Sequence, residues 1–504
     1  MLLSIVPAAH ASADLLILPV FSDAFAKASK HASLHPLPAA LQKSLQPLLL
    51  QEKFAGKSGQ NFLLRLPQGL SQPRLLLLGL GEAKLFQNDK LRNLLGQTVK
   101  MAQKLNCPKL SLFWPEAFFA ADKVQAAAEG AVLGTYEFDK WKTQKEPSAL
   151  KSLQLVCKPG ASVVRQMQDA LRLGQCIAQA QNWSRALVDE PAHSMTPVAL
   201  AKAAKTMARQ HGLKARVFGR PELERLRMGM FLAVAQGSAL EPQLIELRYE
   251  PSSPAHKKRK PLYWVGKAVT FDSGGLSLKS PGSMQGMHTD MAGAAAIMGA
   301  MQVVATLRPP FPVVALLGAC ENMPSHKAFR PSDILTSRMG KTVEIGNTDA
   351  EGRLILGDLL CMATENKPQA IVNLATLTGA CMVALGQGIA GLFCNNETLL
   401  AQIERSAKHA GELLWRLPLC EAQKDGLKSE VADLKNVSDS HYGGAIHAAL
   451  FLQEFVKETP WAHLDIAGPS RSPHASGWTN KGATGFGLRS LVALLEEIEA
   501  SPKE

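Results

Sequence analysis

The 504-residue sequence is poor in the features that mark several large classes of protein. Its eight cysteines (Cys107, Cys157, Cys176, Cys320, Cys361, Cys381, Cys394 and Cys420) form no C-x-x-C or other zinc spacing. Several sit in apolar runs, as buried free thiols do, which argues against a zinc–thiolate site and fits a reducing cytoplasm. No apolar run approaches the roughly 18 residues of a membrane span; the longest, such as Leu75–Leu78 before Gly79, are strand-sized. Met1–Ala13 ends in small residues, yet it has no basic leading segment and its apolar run is too short for a secretion signal. No internal repeat is visible. Acidic residues are the minority, 43 against 55 Lys and Arg, for a net charge of +12. That imbalance is local. Residues 1–180 carry 21 basic against 12 acidic residues and the remainder 34 against 31.

What is present is ordinary globular composition, 46% hydrophobic and 19% charged, over a length that implies two or three domains at about 100–200 residues each. In residues 1–160, Leu15–Val20, Asn61–Leu66, Arg74–Leu80, Leu110–Trp114 and Leu153–Cys157 read as strands. Asn88–Leu105 and Ala117–Gly134 read as helices between them. The alternation predicts a mainly parallel sheet covered by helices. This region has no Gly-rich phosphate loop and no clustered His or Asp, and reads as a scaffold or assembly domain. Ala161–Val188 predicts one long connecting helix, stopped at Asp189-Glu-Pro191 by the proline. A second α/β series follows, with strands over Lys214–Phe218, Phe231–Gln236, Leu244–Tyr249, Leu262–Phe271, Val313–Ala319 and Ala370–Ala375. Its helices cover Asp290–Thr306, Leu354–Glu365 and Ala445–Lys457. The division expected is 1–160, a connecting helix over 161–190, and a catalytic domain over 191–504. The basic run His256-Lys-Lys-Arg-Lys260 has the composition of a nucleic-acid patch, but reads better as a solvated hairpin tip.

Two segments put charge where a buried sheet should not tolerate it. In Val265-Gly-Lys-Ala-Val-Thr-Phe-Asp-Ser-Gly-Gly275, Lys267 interrupts an apolar strand and Asp272 closes it; the segment continues through Lys279 to Asp290. Ligands of open α/β sheets bind beyond the carboxyl ends of strands, where Asp272 falls. In Asn347-Thr-Asp-Ala-Glu-Gly-Arg353, Asp349 and Glu351 would point apart on a helix. They converge only on a turning segment, which Gly352 permits. The helix that follows offers its amino terminus to an anion. Gathered together, Asp272, Asp290, Asp349 and Glu351 repel one another unless divalent cations neutralise them. Oxygen ligands suit Zn²⁺, Mn²⁺ or Mg²⁺, and Lys267 can join only as a neutral amine. The alternative is a set of unrelated surface ion pairs.

These segments, with Met287-His-Thr-Asp-Met-Ala-Gly-Ala-Ala295 and Asn347-Thr-Asp-Ala-Glu-Gly-Arg-Leu354, resemble the signature blocks of the leucyl (cytosol) aminopeptidases, the M17 metallopeptidases. Glu321-Asn-Met-Pro324, Phe329-Arg-Pro-Ser-Asp333, Thr376-Leu-Thr-Gly-Ala380, His463-Leu-Asp-Ile-Ala-Gly468 and Gly482-Ala-Thr-Gly-Phe-Gly487 agree, so the resemblance spans residues 185–490. It implies an α/β chain of two domains: an N-terminal, macro-like α/β domain and a C-terminal catalytic domain with a central mixed sheet flanked by helices. It implies two divalent metal ions (Mn²⁺ or Zn²⁺), with Asp272 and Glu351 bridging, Lys267 and Asp290 completing the more exchangeable site, and Asp349 the tighter one. Lys279 matches the lysine that polarises the scissile carbonyl. Arg353 matches the arginine that holds a bicarbonate ion acting as general base, with backbone help from Gly352, Leu354 and Leu377. Met287, Thr376 and Gly379 match the pocket for the first side chain.

The resemblance further implies release of N-terminal residues, Leu among them, from peptides, in the cytoplasm, by a homohexamer. Some bacterial relatives bind DNA, a second role compatible with the basic N-terminal third; no helix-turn-helix or zinc-finger signature supports it. His288 and Thr289 replace what is commonly Lys and a variable residue, and Ala268 replaces the usual Gly. His288 is expected at the pocket rim or behind Asp290, and His193 and His463 are expected to be structural.

Overall fold

A computed structural model describes residues 1–7, 13–23, 34, 37–66, 73–145, 150–157 and 160–500. The chain forms two compact units, one of residues 1–179 with 474–480, the other of 180–473 with 481–504.

The first unit is built on a six-stranded sheet of β1 (Leu2–Val6), β2 (Leu15–Phe21), β3 (Asn61–Arg65), β4 (Arg74–Gly81), β5 (Lys109–Phe113) and β6 (Ser152–Val156), in the order β1-β6-β5-β2-β4-β3. All pairs are parallel except β3 with β4, as the alternation predicts. The central strands are apolar on both faces, and this is what calls for helices on both. Leu15 and Ile17 of β2 and Leu76 and Leu78 of β4 pack with α2 (Asn88–Lys104) and α3 (Ala121–Leu133). Leu16, Leu18, Leu75 and Leu77 pack on the other side with Leu45 and Leu49 of α1 (Ala39–Gln51). The sequence reading has no helix at α1, which carries Pro47 in its interior. It also takes Leu15 as the start of the first strand, whereas Leu2–Val6 already forms a strand in register with β6. Residues 8–12 lie outside the described residues.

The helix α4 (Ala161–Asp189) is present as expected, and the division between the two units falls within it. Past it, α5 (Pro197–His211) leads into the second unit's sheet. Its strands are β7 (Lys214–Phe218), β8 (Gln243–Tyr249), β9 (Leu262–Asp272), β10 (Val313–Asn322), β11 (Ala370–Ala375), β12 (Ala390–Cys394), β13 (Leu414–Arg416) and β14 (Trp461–Asp465). They lie in the order β13-β12-β14-β11-β9-β10-β8-β7. The four central strands β14, β11, β9 and β10 are mutually parallel, and antiparallel pairs flank them, so the sheet is mixed. Helices α7 (Ala292–Leu307) and α8 (Gly352–Glu365) are buried along most of their length against it.

Two expectations for this unit fail. Phe231–Gln236 is not a strand: Gly229–Ala235 is a helix, α6. Met230, Phe231, Ala233, Val234 and Ala235 are all buried, and a short run buried all round has no period that separates strand from helix. The basic run at 256–260 is not a hairpin tip either. β10 lies between β8 and β9, so the run belongs to a crossover that carries a helical turn, Pro254–Lys257, and it is largely exposed. Against the expectation that no apolar run nears the length of a membrane span, the stretch Pro281–Leu307, which contains α7, is apolar enough by composition to cross one; 83% of its most apolar part is buried inside the fold.

A distant carboxylate holds α6 in place. Asp358, within α8 and fully buried, accepts from the N–H of Phe231 at 3.0 Å and of Arg338 at 2.7 Å. Burial raises its pKa to about 7 against these hydrogen bonds. Asp358→Ala leaves both donors buried and unmatched, and is expected to lower unfolding free energy by about 2–4 kcal/mol. Denaturant titration checks this, and an unchanged midpoint would remove the tether.

Candidate active site

Because β9, β10, β11 and β14 run parallel, their carboxyl ends share one edge of the sheet. Asp272 ends β9, Asn322 ends β10, Thr376 follows β11 and Asp465 ends β14. Lys267 lies mid-strand in β9 and is 3% exposed. Its Nζ is 2.7 Å from Asp290 Oδ2 and 2.8 Å from Glu351 Oε1, and donates to the Thr376 carbonyl at 3.1 Å. The two charged segments therefore meet. Glu351 immediately precedes α8, whose first residue is Gly352. A Cβ at Gly352 would lie 2.7 Å from Lys267 Cε, so a side chain there would displace the lysine from this position. Lys279 Nζ sits 2.8 Å from Asp272 Oδ2 and also pairs with Asp349. Asp272, Asp290 and Glu351 each bring one oxygen within 4.8 Å of the others.

The turning segment expected around Asp349 is present, and its construction is local. The Asp349 N–H donates to Asn347 Oδ1 at 2.8 Å, while Asn436 Nδ2 donates to the Asn347 carbonyl at 2.7 Å and its Oδ1 accepts from Gly346 N–H at 2.8 Å. Asp349 and Glu351 thus serve different lysines.

Burial raises the Glu351 carboxyl to about 8 and Asp290 to about 6; Asp272 pushes both up and Lys267 opposes. Asp349 shifts upward by burial and then by Asp272. Burial disfavours both ammonium groups, but the surrounding carboxylates outweigh it and hold Lys267 and Lys279 protonated. Four carboxylates face two ammonium groups. Asp290 Oδ2, Asp349 Oδ1 and Glu351 Oε1 are buried without an aligned hydrogen-bond donor, although a lysine lies within ion-pair distance of each. Buried anionic oxygens in excess of their counter-charges fit hard divalent cations.

Two residues to which sequence reasoning assigned no role support this cluster. Asn322, fully buried, donates through Nδ2 to Asp272 Oδ1 at 2.8 Å and to the Thr348 carbonyl at 3.0 Å, tying the two charged segments together. Gly274 N–H donates to the same Asp272 oxygen at 2.9 Å, which leaves Oδ2 to face Lys279. Asp465 accepts from Leu377 N–H at 3.1 Å, Ala467 N–H at 3.2 Å and Thr378 Oγ1 at 2.7 Å. It fixes the loop whose Thr376 hydroxyl donates to Asp290 Oδ1 at 2.6 Å. Both residues are polar ends of apolar strands, the same signal that singled out Asp272.

The remaining expected residues are distributed as follows. Arg353, 7% exposed in the first turn of α8, donates through Nη1 to the Asn436 carbonyl at 2.7 Å, and its Nε has no acceptor. Burial lowers its pKa to about 10 despite Glu351 and Asp465. Leu354 N–H is engaged by the Glu351 carbonyl at 3.0 Å, and Leu377 N–H by Asp465. Neither is free for an anion in this arrangement. Met287 is half-buried, Gly379 is exposed at the start of the helix Gly379–Leu385, and Thr376 is committed to Asp290. His288 is half-buried and held below its usual range by burial and by Arg471. His463 is fully buried between Phe393 and Trp461, with Nδ1 2.9 Å from Asn373 Nδ2, and is pushed down to about 3, as suits a structural residue. His193 is exposed.

Removing the support of Asp272 without removing its carboxylate separates geometry from charge. Asn322→Ala is expected to weaken Mn²⁺ binding about 10- to 100-fold, the usual cost of losing such a partner. Calorimetric titration of the folded variant checks this, and an affinity equal to the parent chain's would contradict it.

Comparison with known proteins agrees with this geometry. The family model described as the cytosol aminopeptidase family, catalytic domain, matches residues 182–492, and that of the family's N-terminal domain matches residues 17–145. A probable cytosol aminopeptidase of Alkaliphilus metalliredigens is 40% identical over 96% of this chain and 97% of its own length. One from a Synechococcus strain is 43% identical over 90% and 89%. Among solved structures, a mutant of tomato leucine aminopeptidase is 33% identical with a TM-score of 0.86, covering 98% of this chain and 95% of that one. The bottromycin maturation enzyme BotP in complex with Mn is 32% identical with a TM-score of 0.84, covering 97% and 100%. With both family domains matched in order and a buried carboxylate cluster at the sheet edge, the chain belongs to the cytosol aminopeptidase family and is a metal-dependent aminopeptidase of two α/β domains.

Proposed function

We propose that the chain releases N-terminal amino acids, Leu among them, from peptides, using two divalent cations, Mn²⁺ or Zn²⁺. The observation that carries this reading is the cluster of Lys267, Asp272, Asp290, Asp349 and Glu351, with three buried carboxylate oxygens lacking an aligned donor. These five residues would hold the cations, which when bound supply Lewis acidity toward water and the scissile carbonyl. Lys279, 14% exposed by side chain where Lys267 is 4% exposed, is the ammonium open to a bound peptide, and would stabilise negative charge on the carbonyl oxygen. Arg353, with Nε unengaged and the amino terminus of α8 at Gly352 beside it, would hold bicarbonate as the base that takes a proton. Since the N–H groups of Leu354 and Leu377 are already engaged, that anion site rests on Arg353 and Gly352. Met287, Thr376 and Gly379 would border the first side chain, with Thr376 also orienting Asp290.

A cytosolic location is supported by the names of the relatives, probable cytosol aminopeptidases. A homohexamer rests on the family resemblance. A DNA-binding role rests on the charge of residues 1–180 and is decided by salt-dependent retention on duplex DNA.

Hydrolysis of Leu-p-nitroanilide is expected to vanish on exhaustive chelation and return with Mn²⁺. It should be lost in an Asp349→Ala, Glu351→Ala double variant, and Lys279→Met should cost about 10²–10³ in kcat. Full turnover in the chelated enzyme would sink the reading. Metal uptake must also displace protons. With Glu351 raised to about 8, Asp290 to about 6 and Lys267 held protonated, apparent Mn²⁺ affinity should rise with pH between 6 and 8 and binding should release protons. Calorimetry in buffers of different ionisation enthalpy measures that release.

A further inference from the structure

Both ammonium groups of the centre are matched by carboxylates, whereas one cation at its border is not. Lys267 and Lys279 each face two carboxylates. Arg471 stands six residues past Asp465, on the loop that leaves β14, and is half-buried. Among the described residues, no carboxylate lies within ion-pair distance of it, and its side chain makes no hydrogen bond. Its main chain pairs with Ala483, whose N–H holds Asp189 Oδ1 at 2.9 Å. The guanidinium lies against Gly286. A Cβ on Gly286 would lie 2.2 Å from Arg471 Nη1 and 3.2 Å from Cζ, and Gly286 has φ +87°. Any other residue at 286 is disfavoured by that backbone conformation and would displace the end of the arginine. The turn that follows, Met287–Thr289, carries the pocket candidate Met287 and ends at the ligand Asp290. The cation therefore lies against the turn that leads to Asp290.

We propose that Arg471 is a specificity-determining residue that pairs with a carboxylate side chain near the amino end of a bound peptide, on its first or second residue. The inference rests on the aminopeptidase reading above. A partly desolvated guanidinium without an anion is costly, and its planar fork matches a carboxylate. The centre itself has more carboxylates than ammonium groups, so an acidic substrate needs a local cation to offset repulsion. Arg471 is the one that the fold seats beside the pocket turn.

The test uses the Mn²⁺-loaded full chain and two isosteric pairs, Glu-Ala with Gln-Ala and Ala-Glu with Ala-Gln, alongside Leu-Ala. The quantity read is the Glu/Gln ratio of kcat/KM within each pair, which cancels any loss of folded enzyme. In Arg471→Met one of the two ratios is expected to fall about 10- to 100-fold, mainly through KM, as for loss of a charge-assisted hydrogen bond. Arg471→Lys should retain part of it. The pair that responds identifies which residue of the peptide meets the arginine. If Leu-Ala is cleaved but both ratios stay within about twofold of the parent values, the Arg471 assignment is wrong while the aminopeptidase reading stands. If the parent chain cleaves none of the five, both fall.

Discussion

The catalytic unit is organised around a lysine placed where a strand should be apolar. Lys267 lies in the middle of β9, almost wholly buried, and an ammonium in that position is tolerated only with anions around it. Those anions come from elements far apart in sequence: Asp290 ahead of α7, Glu351 ahead of α8, and the carbonyl of Thr376 after β11. Satisfying one charge therefore ties two helix starts and a loop to a single point on the sheet. The glycine at the head of α8 is part of the same constraint, since a side chain there would occupy the path of the lysine.

The cluster so formed is over-supplied with carboxylate, and this excess is what suits it to hold divalent cations. Fixed dipoles and neutral side chains hold the carboxylates in place without neutralising them. Asn322 and Gly274 secure one oxygen of Asp272, and Thr376 secures one oxygen of Asp290. Asp465 in turn secures the loop that carries Thr376. Each arrangement occupies one oxygen of a carboxylate and leaves the other facing inward, the geometry that the proposed metal site would use. The parallel run of the four central strands makes this feasible, because it delivers all their polar ends to one edge.

How far these features could be read in the sequence depended on the range of the interactions that produce them. The strands β2, β4, β9, β10 and β11 were legible because their apolar runs are bounded by charged or turn-forming residues. The helix Gly229–Ala235 was not, because burial on every side erases the period that would separate it from a strand, and the carboxylate that caps it lies on another helix. The basic segment at 256–260 reads as a hairpin tip because β8 and β9 follow each other in sequence, whereas β10 inserts between them in space. Asn322 and Asp465 were visible as polar strand ends, but what they bond to could not be read along the chain.

By itself the sequence determined the two α/β domains, the charged segments, and which residue types are available for a metal-dependent aminopeptidase. These are carried by local pattern and by motifs. Tertiary structure alone decided that Asp349 serves Lys279 while Glu351 serves Lys267, that the Leu354 and Leu377 amides are already engaged, and that Arg471 is seated on Gly286. Each of these is a pairing between segments separated by tens to hundreds of residues. A buried charge or hydrogen bond is satisfied by whichever partner the fold brings near, and nearness in space is not encoded in spacing along the chain.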